Sequence, residues 1–142
     1  MRLLGIDPGE KRIGLAISDP LGITAQGLAV IHYTTTEEVL EEIIRVCREY
    51  EVSRVVIGNP INMSGSKGAA SEKAETFAGL LRDKLTIPVV MIDERLTSSS
   101  AEKVLISGGV SRKKRKAVKD KIAAVLILET YMALNKPTNR EV

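Results

Sequence analysis

The sequence predicts a single α/β domain built on a mixed five-stranded sheet with helices on both faces. Three observations support this fold class. The chain opens with three short strand-like segments separated by brief turns, a pattern typical of an antiparallel meander. The apolar period then changes, and helix-like and strand-like segments alternate as they do in parallel β-α-β units. Two helix-like segments end the chain, so the predicted order of elements is βββαβαβαα.

The three opening strands are predicted from apolar runs and from the turns between them. The runs cover residues 2–7, 12–19 and 24–33. Pro8-Gly9 follows the first run and Pro20 lies in the turn after the second, and both residue types favour turns because of their backbone geometry. Since the connections are short, these strands are expected to pair in antiparallel fashion.

The first helix is predicted to begin at Thr35, because Thr35 and Glu38 match a capping box and apolar residues follow at helical spacing. The later elements are predicted as a strand at 54–58, a helix at 71–85, a strand at 88–93, and helices at about 98–107 and 117–135. The last helix is apolar on almost all sides, so much of its surface is expected to be buried. Residues 1–136 would then form one domain, with a flexible tail at 137–142.

Positive charge is concentrated in one segment. The net charge is +3, but the segment from Arg112 to Lys121 holds seven basic residues and one acid, a local charge of +6 that leaves −3 for the remainder. Such a patch is typical of binding to a phosphate backbone, although a solvated helix surface would look the same. The single Cys47 excludes an internal disulfide. No signal peptide and no apolar run of membrane-spanning length is found, so a cytoplasmic protein is expected.

Three acids are predicted to share one edge of the sheet. Asp7 closes the first strand, Glu94 follows the fifth, and Asp120 is expected in the first turn of the last helix. Parallel strands place their carboxyl ends on the same edge, where open α/β sheets bind ligands. Clustered carboxylates need a compensating cation, and oxygen ligands suit Mg²⁺ or Mn²⁺. The pattern therefore indicates a metal-dependent phosphodiesterase site, in which the ions activate water and stabilise the leaving oxygen.

Each of these acids also has a purely structural interpretation. Asp7 before Pro8-Gly9 could be a turn former, Glu94 could pair with Arg95 or a neighbouring Lys, and Asp120 could interact with the helix dipole. The basic residues have two interpretations as well, contact with phosphates near the site or ordinary surface charge. The candidates for phosphate contact are Lys11, Arg12, Arg95, Arg112, Lys113, Lys114, Arg115 and Lys116. The loop at 62–68, rich in glycine and serine, is expected to close over nucleic acid.

Four segments resemble motifs of one bacterial family. They are residues 5–14 (GIDPGEKRIG), 57–68 (IGNPINMSGSKG), 92–97 (IDERLT) and 116–131 (KAVKDKIAAVLILETY). In this order and spacing they resemble the YqgF family, ribonuclease H-like proteins described as Holliday-junction resolvase homologues and as pre-16S rRNA nucleases. The resemblance implies a ribonuclease H-like fold, with Asp7, Glu94 and Asp120 as ligands of Mg²⁺ or Mn²⁺. One departure concerns strand 4, which ends in Gly58-Asn59 where resolvases of this superfamily carry an acid.

The resemblance implies hydrolysis of structured RNA, in 5′ maturation of pre-16S ribosomal RNA during ribosome biogenesis. Pre-ribosomal particles are the expected partners, and the chain is expected to act as a monomer or weak homodimer. Two alternatives remain, a resolvase of junction DNA and a non-catalytic ribosome-assembly factor that binds nucleic acid. A kinase-like ATPase would need a second lobe, for which 142 residues leave no room. With no Trp and one Phe, exposed aromatic platforms for single-stranded bases are not expected.

Overall fold

Five strands form one mixed sheet in the computed structural model, which describes residues 2–96 and 112–135 and the side chains of 2–95 and 120–135. The strands are β1 (Arg2–Asp7), β2 (Arg12–Ser18), β3 (Ala25–His32), β4 (Val52–Asn59) and β5 (Val89–Asp93). They lie in the order β3-β2-β1-β4-β5. The pairs β1–β2 and β2–β3 are antiparallel, whereas β1–β4 and β4–β5 are parallel. The predicted mixed five-stranded sheet, with its opening meander, is therefore confirmed.

The described helices are α1 (Thr36–Glu49), α2 (Ala69–Lys84), a short 3₁₀ helix (Glu94–Leu96) and α3 (Arg112–Leu134). The cap of α1 is found at Thr35, whose hydroxyl accepts a hydrogen bond from the Glu38 backbone N–H at 3.2 Å. Instead of returning to Thr35, the Glu38 carboxylate accepts from the Thr34 hydroxyl at 3.0 Å. The predicted helix at 98–107 and the predicted tail at 137–142 lie outside the described residues.

Helices cover both faces of the sheet. The larger core packs α1 and α2 against one face and includes Leu4 and Ile6 of β1. The smaller core packs α3 against the opposite face. Because side chains alternate along a strand, Gly5 and Asp7 belong to the face that α3 covers. No helix within the described ranges is both long enough and apolar enough to cross a membrane.

The last helix begins earlier than the sequence prediction placed it. It starts at Arg112 instead of Ala117, so the backbone of the basic run is helical and Asp120 lies in the third turn, not the first. The physical reason is that Arg and Lys are good helix formers, and neither Gly nor Pro interrupts residues 112–117. The helix dipole acts mainly within the first turn, so the dipole interpretation of Asp120 is wrong. Other boundaries shift by one or two residues.

Glycines let the backbone of α3 lie directly on the sheet. A Cβ atom added at Gly14 of β2 would lie 2.1 Å from the Asp120 carbonyl oxygen. One added at Gly5 of β1 would lie 2.9 Å from the carbonyl oxygen of Ala124. Both distances are shorter than real Cβ contacts, so any larger residue would push the helix away from the strands. The position of Asp120 therefore depends on the absence of a side chain at Gly14.

Replacing Gly14 by Ala is expected to lower the free energy of unfolding by about 1–3 kcal/mol or more, because the new methyl group displaces α3. Gly79 of α2 provides a matched control, since an added Cβ there meets no atom within 4 Å. Gly79→Ala should instead raise the free energy of unfolding by about 0.5–1 kcal/mol through helix propensity. Urea denaturation of the three proteins measures both changes, and equal stabilities would contradict the close packing of α3.

Candidate active site

Asp7 lies between two glycines on the neighbouring strands. In the antiparallel register it is paired with Gly14 of β2. On its other side, Ile6 is paired with Ile57 of β4, which makes Gly58 the neighbour of Asp7 in the parallel register. Adjacent strands are about 4.8 Å apart. The Asp7 carboxyl group therefore stands at the end of β1, between two strand positions that carry no side chain.

The two other predicted acids lie over those two glycines. Asp120 of α3 lies over Gly14, where an added Cβ would be 3.3 Å from the Cβ of Asp120. Glu94 lies over Gly58, where an added Cβ would be 2.7 Å from Cγ and 2.9 Å from Cδ of Glu94. The structure thus places Asp7, Glu94 and Asp120 at one edge of the sheet, on the face covered by α3.

The carboxyl groups of Asp7 and Glu94 are in direct contact. Burial raises the pKa of Glu94 above its usual range, a hydrogen bond with the Asp7 side chain lowers it, and the negative charge of Asp93 raises it. The net direction is upward because desolvation of the charged form dominates. Two carboxyl groups that share a hydrogen bond require a proton between them or a cation beside them. This pair is therefore suited to holding a positive charge.

Asp120 forms an ion pair that the sequence did not predict. The Arg12 Nε atom lies 3.2 Å from Oδ2 of Asp120, and the Asp120 side chain is only 17% exposed. Arg12 begins β2 and shares its face with Gly14, two residues further on, so it lies beside the helix residue above that glycine. Arg12 was expected to contact phosphates. In the structure it is paired with Asp120, which is a predicted metal ligand.

Arg95 pairs with Asp93, two residues before it. Its backbone N–H donates to Asp93 Oδ1 at 2.9 Å, and its Nε–H donates to Oδ2 at 2.8 Å. The Arg95 guanidinium also holds the pKa of Asp93 below its usual range. The structure thus gives Arg95 to Asp93, and the pairing of Glu94 with a neighbouring Lys stays a prediction. Lys11, the other basic residue after the Asp7 turn, is exposed to solvent.

The end of β4 carries a buried amide in place of an acid. Asn59 is paired with Asp93 in the parallel register and is 8% exposed. Its Oδ1 atom accepts a hydrogen bond from the hydroxyl of Ser71, a fully buried residue of α2, at 2.6 Å. Asn59 therefore attaches α2 to the sheet at this edge, and its amide contributes no negative charge there.

The loop that follows β4 is held by its own hydrogen bonds. The backbone N–H of Asn62 donates to the Ser66 carbonyl at 3.0 Å, and the Gly65 N–H donates to the Asn62 carbonyl at 2.8 Å. Met63 within this turn is 86% exposed. The closing of this loop over nucleic acid stays a prediction.

The donor set fits a hard divalent cation once two existing contacts open. All three candidates offer carboxylate oxygens, which suit Mg²⁺ or Mn²⁺ and do not suit softer metals. As the side chains stand, the described residues contain no group of three or more His, Cys, Asp or Glu arranged to hold a metal. A cation held by all three acids would compete with the Asp7–Glu94 hydrogen bond and with the pairing of Asp120 and Arg12.

The backbone of the basic run extends beyond the edge that bears the acids. Ala124 of α3 lies over Gly5, and Asp120 lies at the edge itself, so the residues before Asp120 continue past the end of the strands. At about 1.5 Å per residue, the segment 112–116 lies roughly 6–12 Å along the helix axis from Asp120. Only the backbone of this segment is described.

Comparison with known proteins identifies the family. A family model described as RuvX, Holliday junction resolvase, matches residues 1–134. The chain belongs to the RuvX family. Two relatives are named "Putative pre-16S rRNA nuclease". One, from Halalkalibacterium halodurans, is 52% identical over 134 residues, which cover 93% of this chain and 96% of the relative. The other, from Halothermothrix orenii, is 51% identical over 132 residues, covering 93% and 94%. The family resemblance expected from the motifs is confirmed.

Solved structures share the fold of this RuvX-family chain. RuvC of Thermus thermophilus in complex with a Holliday junction substrate matches with a TM-score of 0.60 and 15% identity, covering 96% of both chains. Fowlpox virus resolvase in complex with Holliday junction DNA matches with a TM-score of 0.55 and 19% identity, covering 96% of this chain and 100% of the resolvase. At these identities the likeness shows the fold alone, and the predicted ribonuclease H-like fold is confirmed.

Proposed function

We propose that this RuvX-family chain is a metal-dependent nuclease that hydrolyses phosphodiester bonds in the 5′ maturation of pre-16S ribosomal RNA. The observation that carries the proposal is the position of Asp7 between Glu94 and Asp120 at one edge of the sheet. The name shared by relatives of about 50% identity supports rRNA as the substrate. The motifs also offer little for catalysis by His or Cys side chains, because the chain has one His and one Cys.

Asp7, Glu94 and Asp120 would hold Mg²⁺ or Mn²⁺. Such an ion, when bound, activates water for attack on phosphorus and stabilises the leaving oxygen. Asp7 would be the central ligand, because it stands between the other two acids. A cation binds the ionised carboxylate, whereas burial raises the pKa of Glu94, so metal binding there would work against part of that desolvation cost. Arg12 balances the charge of Asp120, and it would be able to turn toward a substrate phosphate if Asp120 held the metal instead.

The remaining basic residues would hold the RNA backbone. Lys11 and Arg95 lie within a few residues of the acids, and the helical segment 112–116 continues past the same edge. A row of cations beside three acids lets the enzyme attract a polyanion that the acids alone would repel. Each phosphate contact of this kind makes binding weaker as salt increases. If these residues were ordinary surface charges, their substitution would leave the salt dependence of RNA binding unchanged.

Arg12→Gln is expected to tighten Mn²⁺ binding about fivefold in the absence of nucleic acid, because it removes a cation that competes for Asp120. An ion pair of this exposure is worth on the order of 1 kcal/mol, which corresponds to that factor. RNA binding should weaken, since one phosphate contact is lost. Lys11→Gln is the control, with weaker RNA binding and unchanged Mn²⁺ affinity. Calorimetry measures both affinities, and equal Mn²⁺ affinities for the two variants would contradict the role of Arg12.

A choice of substrates under one metal condition tests the proposed function. A 16S rRNA precursor with a 5′ extension and a four-way DNA junction would be incubated separately with the protein and Mg²⁺. Cleavage of the precursor at a fixed 5′ position, stopped by EDTA, is the expected result. Paired nicks in the junction with an intact precursor would instead assign a resolvase, the function named for the family and for its structural neighbours. Salt-sensitive RNA binding with no cleavage would assign a non-catalytic assembly factor.

The proposed substrate also indicates where in the cell, and in which oligomeric state, the chain acts. We infer that the chain acts in the cytoplasm on pre-ribosomal particles, where the 5′ extension of the precursor is accessible. Removing this extension requires one cut in one strand, so a monomer or a weak homodimer is sufficient. Resolution of a junction requires two symmetric cuts and therefore a stable dimer. Sedimentation of the free protein and co-sedimentation with pre-ribosomal particles test the two parts of this inference.

A further inference from the structure

A cavity of about 650 Å³ lies beside the acids and takes no part in the mechanism proposed above. It is bounded by the turn after β1, by the connection from β3 to α1, and by the first three turns of α2. The side chains that matter for its chemistry are those of Pro8, Ile13, Tyr33, Thr36, Phe77 and Leu80. Its volume lies within the range of about 300–1,000 Å³ that is usual for small-ligand sites.

The cavity and the acids are separated only by a tight turn. Asp7 faces α3, whereas Ile13 belongs to the core under α1 and α2, so the two sites lie on opposite faces of the same sheet edge. Pro8 and Gly9 form the divide between them and line the cavity. The Tyr33 hydroxyl donates to the Gly9 carbonyl at 2.5 Å and holds this turn in place. A nucleic-acid strand that crosses the turn from the acids therefore passes over the mouth of the cavity.

The charges at the rim favour a neutral group over a phosphate inside the cavity. The ionisable residues there are Glu10, Glu72 and Lys73, and Lys73 Nζ is paired with Glu10 Oε1 at 3.0 Å. The rim therefore carries one net negative charge, which repels phosphate. It attracts a group with N–H donors, because a carboxylate accepts hydrogen bonds from amino groups of bases.

The walls of the cavity suit a flat, uncharged ring. They are mainly apolar, and two of the chain's few aromatic residues, Tyr33 and Phe77, are among them. A nucleobase combines an apolar face, which such walls bury, with polar edges that the rim can bind. The low aromatic content excludes a platform for several stacked bases, but a single enclosed base needs no such platform.

We propose that this cavity binds one unpaired nucleobase of the RNA substrate, close to the phosphate that is cut. The proposal rests on the proposed nuclease function and adds to it a way of choosing the cleavage position. A base held in the cavity fixes the register of the strand across the Pro8-Gly9 turn, and so determines which phosphate lies over Asp7. Stems that keep all their bases paired would not fit, which directs cleavage to single-stranded RNA.

A scan with abasic nucleotides tests the proposal without altering the protein. Each nucleotide along the 5′ extension of the precursor would be replaced in turn by an abasic one, and binding would be measured by fluorescence anisotropy in EDTA. One position, within about two nucleotides of the cut, should lose roughly tenfold or more in affinity, in line with the usual contribution of one stacked base. Losses below twofold at every position would overturn the proposal.

A variant with a filled cavity provides the second test. Ala70 and Thr76 line the cavity and are exposed on α2, so Ala70→Leu with Thr76→Leu fills its space without entering the core. This variant should bind intact RNA as weakly as the native protein binds the sensitive abasic RNA, with no further loss for the abasic RNA. Ala133→Leu, at an exposed position on α3, is the matched control and should behave as the native protein. An unchanged abasic penalty in the filled variant would overturn the proposal.

The two proposals fail in different measurements. Binding in EDTA needs no turnover, so an absence of RNA cleavage with Mg²⁺ would count against the nuclease and not against the cavity. Conversely, cleavage of the precursor with uniform abasic losses would keep the nuclease and remove the base subsite. A 2-aminopurine base at the sensitive position gives an independent signal. Its fluorescence should change on binding to the native protein and to Ala133→Leu, and remain unchanged with the filled variant.

Discussion

Replacing Asp7 by Asn is expected to lower metal-dependent RNA cleavage by about 10³-fold or more, while the fold is retained. Asp7 stands between Gly14 and Gly58, and the other two acids lie over those glycines. An amide has the shape of the carboxyl group but lacks its charge, so it binds a divalent cation poorly. A 10³-fold loss corresponds to about 4 kcal/mol in the barrier. Single-turnover cleavage of the precursor with Mg²⁺ measures it.

Asp83→Asn is the matched control for this substitution. Asp83 is an exposed acid in the last turn of α2, and its replacement changes the net charge by the same amount. Its cleavage rate should stay within about twofold of the native rate, as expected of a surface position. Both variants should unfold at native-like urea concentrations. A rate for Asp7→Asn within threefold of that for Asp83→Asn would show that the acids do not form the catalytic centre.

Adding Asp120→Asn to Asp7→Asn should have little further effect on the rate. Residues that act as one unit in catalysis are strongly non-additive, because the first loss already disables the site. Asp120→Asn also removes the partner of Arg12, so the double variant should keep or improve its affinity for RNA. Binding and cleavage would then change in opposite directions, which an unfolded protein could not produce.

Much of the fold could be predicted because its signals are local. A few neighbouring residues are enough to determine each of three features: the turn after Asp7, the turn before β3 and the cap at Thr35. The start of α3 also had a local signal, which the sequence prediction did not use. Ser111 directly precedes Arg112 and follows Gly108-Gly109, and serine is a preferred residue type before the first turn of a helix.

For the candidate site, the sequence could predict which strand ends lie together, but not the contacts between side chains. Topology alone brings Asp7 and Glu94 to one edge, since parallel strands end together. The ion pair of Arg12 with Asp120 joins residues that are distant in sequence and depends on the exact approach of α3, which no local pattern records. Gly14 gave a signal in hindsight, because a glycine inside a buried strand often marks close approach of another backbone.

Glu94→Gln is expected to have opposite effects on stability and activity. Burial raises the pKa of Glu94, and the nearby charge of Asp93 raises it as well, so the ionised form destabilises the folded state. A raised carboxyl pKa means that the folded state binds the proton more tightly than the unfolded state. Stability from this group is therefore present below its ordinary pKa of 4.5 and is lost as pH rises through the higher folded value.

Glutamine has no charge to lose, and its amide can donate to the Asp7 carboxylate. At pH 7 without metal, Glu94→Gln should raise the free energy of unfolding by roughly 0.5–2 kcal/mol, the usual range for a stabilising substitution. At pH 4 the difference should shrink, because Glu94 is then largely protonated in both states. Thermal unfolding at the two pH values measures the change, at about 2–4 °C per kcal/mol for a chain of this size.

Excess Mn²⁺ should reverse the order of stability. A ligand that binds only the folded state stabilises it in proportion to the logarithm of its concentration over the dissociation constant, so the tighter-binding native protein gains more than Glu94→Gln. Cleavage by the variant should fall by at least 100-fold, since a charged ligand is missing. If Glu94→Gln were instead less stable than the native protein without metal, Glu94 would be a structural residue. The predicted reversal is expected of a site whose carboxylates are kept for the metal at a cost in stability.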